Sequence, residues 1–248
     1  MTAPWVEADW PPPPGVHVIT TRRGGTDSGV SRGPYAHFNL GDHVGDDPGA
    51  VAENRRRLRV QAKLPAEPAW LSQVHGTAVA DLDAAGLHGP ADAVVARCAG
   101  KVCAILTADC LPVVIATDTG EGVAAAHAGW RGLAAGVLEA TVRALGAPPE
   151  SLLAWLGPAI GPEHFEVGAE VRDVFLRSDP EASGAFRPNT QGRFMADLAL
   201  LARRRLEGLG VSRVYGGGQC TYSHSARYFS HRRDGTTGRQ ATLIWRED

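Results

Sequence analysis

Three residues of the types that bind metals or attack carbonyls each follow a short apolar run in this chain. Residues 69–74 run into His75-Gly76, residues 104–107 into Ala108-Asp109-Cys110, and residues 123–126 into His127-Ala128-Gly129. A cysteine with two histidines suits Zn²⁺ and leaves a fourth tetrahedral position open for water or substrate, as catalytic zinc sites do. The gaps between the three are far longer than the close ligand pairs of structural zinc fingers. A site assembled from separate strand ends therefore fits better than a finger. The same Cys110 and His127 would also serve as a nucleophile and its base. A buried cysteine with two hydrogen-bonded histidines and no ligand is the plain alternative on these residues alone. Asp109 is the carboxylate nearest in sequence, a candidate for handling protons and equally a turn cap.

These residues need elements to position them, and the central stretch 104–133 supplies the first. Residues 104–107 and 111–116 are short runs rich in Val, Ile and Leu. Asp118-Thr119-Gly120-Glu121-Gly122 then has the composition of a tight reversal. Residues 123–126 return as a second strand, so paired strands are expected to bring Cys110 and His127 together. Elsewhere residues 16–21, 69–74, 91–96, 152–156 and 211–216 read as strands, with 77–82 as partner of 69–74. Asp47-Pro48 reads as the cap and first position of a helix over 50–62, with Val51, Leu58 and Val60 on its buried side. Residues 133–145, 169–177 and 197–209 read as further helices, and 184–193 as loop. The tail 228–245 reads as two strands around Arg233-Asp234-Gly235. Residues 1–15, with Pro11 to Pro14, read as an extended lead-in to a single domain over 16–248. The order is not a clean alternation of strand and helix, so the expected class is α+β: mixed sheets in a sandwich-like core, covered by helices.

Composition narrows the function classes. The chain has 248 residues, 44% of them hydrophobic and 21% charged, with a formal net charge of −2. That length holds one well-buried core. The near-neutral charge excludes a generic nucleic-acid groove or anionic membrane surface as the expected partner. No apolar run reaches the ~18 residues of a spanning helix. The four cysteines, at 98, 103, 110 and 220, form no close-spaced framework. Free thiols in a reducing, cytoplasmic setting are therefore expected. Cys98 and Cys103 read as packing residues.

Several blocks together resemble one family. Ser72-Gln73-Val74-His75-Gly76, Thr107-Ala108-Asp109-Cys110-Leu111-Pro112-Val113 and His127-Ala128-Gly129-Trp130-Arg131-Gly132 are similar to the signature blocks of the YfiH/laccase-domain family. Thr21-Arg22-Arg23-Gly24-Gly25, Asn39-Leu40-Gly41, Asn54-Arg55, residues 156–162, Phe165-Glu166-Val167-Gly168 and residues 229–235 support it, in order, from about residue 16 to 245. Members of this family are called polyphenol oxidases, peptidoglycan editing factors or multifunctional purine nucleoside enzymes, and the fold resembles the deamidase domain of cytotoxic necrotizing factors.

The resemblance implies zinc on His75, Cys110 and His127, with copper as a lesser alternative. It implies phosphorolysis of adenosine, inosine, guanosine and methylthioadenosine with inorganic phosphate as co-substrate, deamination of adenosine, and a related editing role on peptidoglycan precursors. For such substrates Arg131, Arg55 and Arg22 are candidate anion contacts, and Asn39 and Gln73 candidate contacts to sugar or base. Trp130 is a candidate stacking surface, and His43 and Cys220 candidate pocket residues. The implied partner is a small-molecule nucleoside, and a monomer is favoured. Two other readings stay open. A Cys–His amide hydrolase leaves His75 without a task. A multicopper oxidase needs several His-x-His pairs, and the nine histidines here include none.

Overall fold

The computed structural model describes residues 4–24, 28–84 and 89–247. Residues 1–3 of the expected lead-in and Gly25 of the Thr21–Gly25 block lie outside the described residues. In chain order come β1 (Trp5–Glu7), β2 (Val16–Thr21), α1 (Pro48–Gln61), β3 (Val79–Asp81), β4 (Ala93–Ala96), β5 (Val102–Thr107), β6 (Leu111–Thr117) and β7 (Val123–Ala128). Then follow α2 (Trp130–Ala135), α3 (Val137–Leu145), β8 (Leu152–Leu156), β9 (Glu166–Val167), α4 (Ala169–Ser178), β10 (Phe186–Pro188) and β11 (Phe194–Ala196). The chain closes with α5 (Leu198–Gly208), β12 (Arg213–Gly216), α6 (His231–Asp234) and β13 (Gln240–Arg246).

A six-stranded mixed sheet, ordered β12-β8-β6-β7-β4-β3, faces a four-stranded antiparallel sheet, ordered β1-β2-β13-β5. Side chains alternate across each strand. Val114, Ala116, Val94 and Trp155 of the large sheet thus meet Cys103, Ile105, Val18 and Ile244 of the small one. The other face of the large sheet presents Val113, Ile115, Ala124 and Ala126 to α3, α4 and α5. The other face of the small sheet presents Ala104, Leu106 and Leu243 to Leu58 of α1. Strands covered on both faces have no solvent side to mark, so β5 to β8 read as unbroken apolar runs rather than alternating ones. The α+β sandwich with covering helices is the architecture found. A small three-stranded sheet, β10-β11-β9, contributes Val167, Phe186 and Ala196 to the core on the helix-covered face of the large sheet.

Tertiary contacts revise several local expectations. Residues 69–74 are extended but join a sheet only through a bridge from Ala69 to Cys103, and β3 pairs in parallel with β4 instead. Val60 of α1 is 64% exposed, whereas Asn54 is buried and hydrogen-bonded to Ser31, Val30 and the Asn39 carbonyl. The helix expected over 133–145 is two, because Gly136 adopts φ 100°, a left-handed conformation that ends α2. The loop over 184–193 contains β10. The tail holds a single strand, β13, and one helical turn, α6. Residues 5–10 of the lead-in are tied into the molecule: β1 pairs with β2, Trp10 is buried, and Asp9 accepts a hydrogen bond from Trp155.

Candidate metal centre

The turn 108–110 carries the chain out of the four-stranded sheet at the end of β5 and into the six-stranded sheet at the start of β6. Cys110 therefore stands at the seam between the layers. In the β6–β7 pair Leu111 lies opposite Ala128 and Pro112 opposite His127, so the thiol and the imidazole share one end of the sheet. His75 comes from the loop ahead of β3 and holds a left-handed backbone, φ 62°. That conformation is costly for a residue with a side chain, and neighbouring contacts must hold it.

Asp92, just before β4, provides those contacts. Its carboxylate accepts the backbone N–H groups of Val74 (3.1 Å), His75 (2.9 Å) and Gly76 (2.7 Å). The same group accepts from His127 Nδ1 at 2.8 Å. With Nδ1 committed, His127 presents Nε2 to Cys110 and His75. The donor atoms of His75, Cys110 and His127 all lie within 4.8 Å of one another, and Cys110 Sγ is 3.7 Å from His75 Nε2. Tetrahedral zinc with bonds of about 2.0–2.3 Å places its donors about 3.3–3.6 Å apart, so the donor set fits such an ion. Gly129 makes the approach possible: a Cβ there would stand 2.9 Å from His75 Cδ2 and 3.0 Å from Cys110 Sγ. His127 is buried while His75 is exposed, which leaves the centre open on one side.

The electrostatics favour a thiolate. Burial acts to raise the Cys110 pKa, but hydrogen bonds from His127 and His75 outweigh it and bring the thiol down to about 6. Burial acts to lower the His127 pKa, but Asp92 and Cys110 hold its proton and raise it to about 9. Asp92 stays below the usual carboxylate range: burial opposes ionisation, and its hydrogen bonds from His127, Gly76 and Val74 prevail. A thiolate beside oriented imidazoles can coordinate a metal or act as a nucleophile.

The other expected site residues have the following surroundings in this structure. Asp109, at φ 90°, accepts from the Thr221 hydroxyl at 2.6 Å and from the Arg232 N–H at 2.7 Å, fastening the loop before α6 to the turn that carries Cys110. Gln73 clamps Leu106 with both ends of its amide, at 2.9 Å each. Arg55 donates to the Leu40 carbonyl, pairs with Asp42 at 3.3 Å and lies over Trp70. Asn39 is buried, bridging Gly41, Asp46 and the backbone of Arg239. Arg131 is exposed above the Trp130 ring, which itself packs on the core. His43 is exposed beside Asp42, and Cys220 accepts N–H groups from Gly161 and Ser223. The sequence reading missed Asp92. Its signal was an acid directly ahead of the apolar run of β4, where a charge persists only if paired.

Residues 16–247 match the family described as multi-copper polyphenol oxidoreductase laccase. The chain is 54% identical over 245 residues to purine nucleoside phosphorylase PA4543 of Pseudomonas aeruginosa, covering 98% of this chain and 99% of that protein. It is 51% identical over 237 residues to purine nucleoside phosphorylase YfiH of Escherichia coli, covering 95% and 96%. Among solved structures it superimposes on Neisseria meningitidis protein NMB0706 with a TM-score of 0.94 at 48% identity, covering 99% and 100% of the two chains. YlmD from Geobacillus stearothermophilus gives 0.90 at 33% identity, covering 100% and 98%. The chain belongs to the YfiH-like laccase-domain family, as its sequence blocks imply.

Proposed function

We propose that this protein is a zinc-dependent purine nucleoside phosphorylase that also deaminates adenosine, acting in a reducing, cytoplasmic compartment. The observation that carries the reading is the His75–Cys110–His127 donor set, oriented by one carboxylate and open on one side. The names of relatives at 46–54% identity support the substrate class. A zinc ion held by His75, Cys110 and His127 would supply Lewis-acid polarisation of the substrate. His127 presents Nε2 because Asp92 holds Nδ1, and the loop 74–76 holds His75 beside it. In phosphorolysis an oxygen of inorganic phosphate forms the bond to ribose C1′. The C1′–N9 pair leaves with the purine, which is protonated. In deamination water adds at C6 and ammonia leaves.

A second reading has its own observation. Cys110, His127 and Asp92 stand in the order nucleophile, base and orienting acid of a Cys–His hydrolase. His75 has no task there, and it is the natural third ligand of a metal. Copper oxidase chemistry of the multicopper kind requires more ligands than the single three-donor group found among the described residues.

The deciding experiment is metal analysis of purified protein with adenosine turnover, with and without phosphate, for wild type and Cys110→Ala. The expected result is about one zinc per chain, phosphate-dependent adenine release and phosphate-independent inosine formation, all lost in the variant. A metal-free protein with an alkylatable Cys110 and no nucleoside turnover would overturn the reading in favour of the hydrolase.

A further inference from the structure

Near the turn that delivers Cys110 stands an arginine, Arg239, that forms no ion pair among the described residues. Arg239 directly precedes β13, whose Gln240 lies opposite Thr107 at the end of β5, so the arginine flanks the turn that delivers Cys110. Its backbone is fixed on both sides: its N–H donates to Asn39 Oδ1 at 2.8 Å, and its carbonyl accepts from Leu40 N at 3.1 Å. The aliphatic stem rests on Gly41, where a Cβ would stand 2.7 Å from the arginine Cγ. At the far end Nη1 donates to the carbonyls of Thr237 and Gly238, both at 3.0 Å. Nε and Nη2 donate to no group among the described residues, and neither is a sealed, unpaired atom.

No carboxylate among the described residues forms an ion pair with this guanidinium. The acids around it are engaged elsewhere. Asp42 pairs with Arg55 and His43, Asp46 accepts from Ser31 and Asn39, and Asp109 accepts from Thr221 and Arg232. Burial lowers the Arg239 pKa below its ordinary value, opposed by the negative charge of Cys110 first and then of Asp109 and Tyr35. A half-buried charge without a counterion is costly, and an anionic ligand relieves that cost. The Nε–Nη2 edge of an arginine is a planar fork matched to two oxygens of a phosphate.

We propose that Arg239 is the phosphate-binding residue of the site, holding inorganic phosphate on its Nε–Nη2 edge beside the His75–Cys110–His127 centre. The identity of the occupant rests on the phosphorolysis reading; the anion site rests on the arginine. Asn39 is then a positioning residue, acting through the Arg239 backbone.

The test uses metal-loaded wild type, Arg239→Met and Arg239→Lys, with metal content and melting temperature as controls of integrity. Two quantities are read: the KM for phosphate and for inosine in inosine phosphorolysis, and calorimetric binding of inorganic phosphate. Arg239→Met is expected to raise the phosphate KM and weaken phosphate binding about 10- to 100-fold, with the inosine KM unchanged. Arg239→Lys, which keeps the charge and loses the fork, falls between. Unchanged phosphate KM and binding in folded, metal-loaded Arg239→Met overturn the assignment. If Arg239→Met does not fold or load metal, Arg239→Lys decides by the same two readings. If wild type splits no nucleoside yet binds phosphate in an Arg239-dependent way, the anion site stands and the phosphorolysis reading falls. Arg239-dependent binding of adenosine 5′-monophosphate without binding of free phosphate assigns the site to a nucleotide and overturns the co-substrate role.

Discussion

Asp92 sets the geometry of two of the three donors from one fully buried carboxylate. It takes the N–H groups that hold His75 in its left-handed backbone and fixes the ring of His127 through Nδ1. Replacement by Asn keeps the shape but turns one acceptor into a donor, facing either the imidazole N–H or the loop. Groups that orient metal ligands typically contribute 10–100-fold to affinity, so on the proposed zinc reading Asp92→Asn is expected to weaken Zn²⁺ binding by about that factor. Competition with a chromophoric chelator measures it. Wild-type affinity in a folded Asp92→Asn protein would show that strand position alone aims His127.

Elements reach the site through anchored connections, and several anchors are carboxylates that accept backbone N–H groups. Asp83, after β3, accepts from the N–H groups of Arg97 (2.6 Å) and Cys98 (3.3 Å) and pairs with Lys101 at 3.0 Å, tying β3 to the end of β4. Burial acts to raise its pKa, but these donors prevail and hold it at about 2. An unfolded Asp titrates near about 4. The folded value is the lower one, so the stabilisation is complete above about pH 4 and is lost as pH falls towards 2. Urea unfolding of wild type and Asp83→Asn from about pH 7 down to pH 3 is expected to show a constant stability gap that narrows below about pH 4. A gap still undiminished at pH 3 contradicts this anchor.

For the whole molecule, the layer between the two sheets carries the site, because Cys110 sits where the chain passes from one sheet to the other. Ile105 on β5 is 0% exposed and fills that layer against the large sheet. Truncating a buried isoleucine leaves a cavity, and such changes cost about 2–5 kcal/mol. Ile105→Ala is expected to lower unfolding free energy in urea by that amount and, on the proposed zinc reading, to leave Zn²⁺ binding by the protein that remains folded unchanged. Loss of zinc affinity in folded Ile105→Ala would mean that the sandwich layer also tunes the donors.

The sequence by itself determined the candidate donor types, the strands that lead to them, the cap at Asp47, and the α+β sandwich under helices. Each of these is written in local chemistry: apolar runs for strands buried on both faces, Asp ahead of a helix, and Cys and His as the side chains that ligate. Tertiary structure alone decided which polar groups meet. The pairing of Asp92 with His127 spans 35 residues and that of Asn39 with Arg239 spans 200, and no local pattern encodes either. The same holds for the expected substrate contacts. Gln73 and Arg55 carry donors that suit a ligand, and which groups those donors meet, here the Leu106 and Leu40 carbonyls, is set by the fold. A side chain's type states what it can bind, and only the packed chain states which partner is within reach.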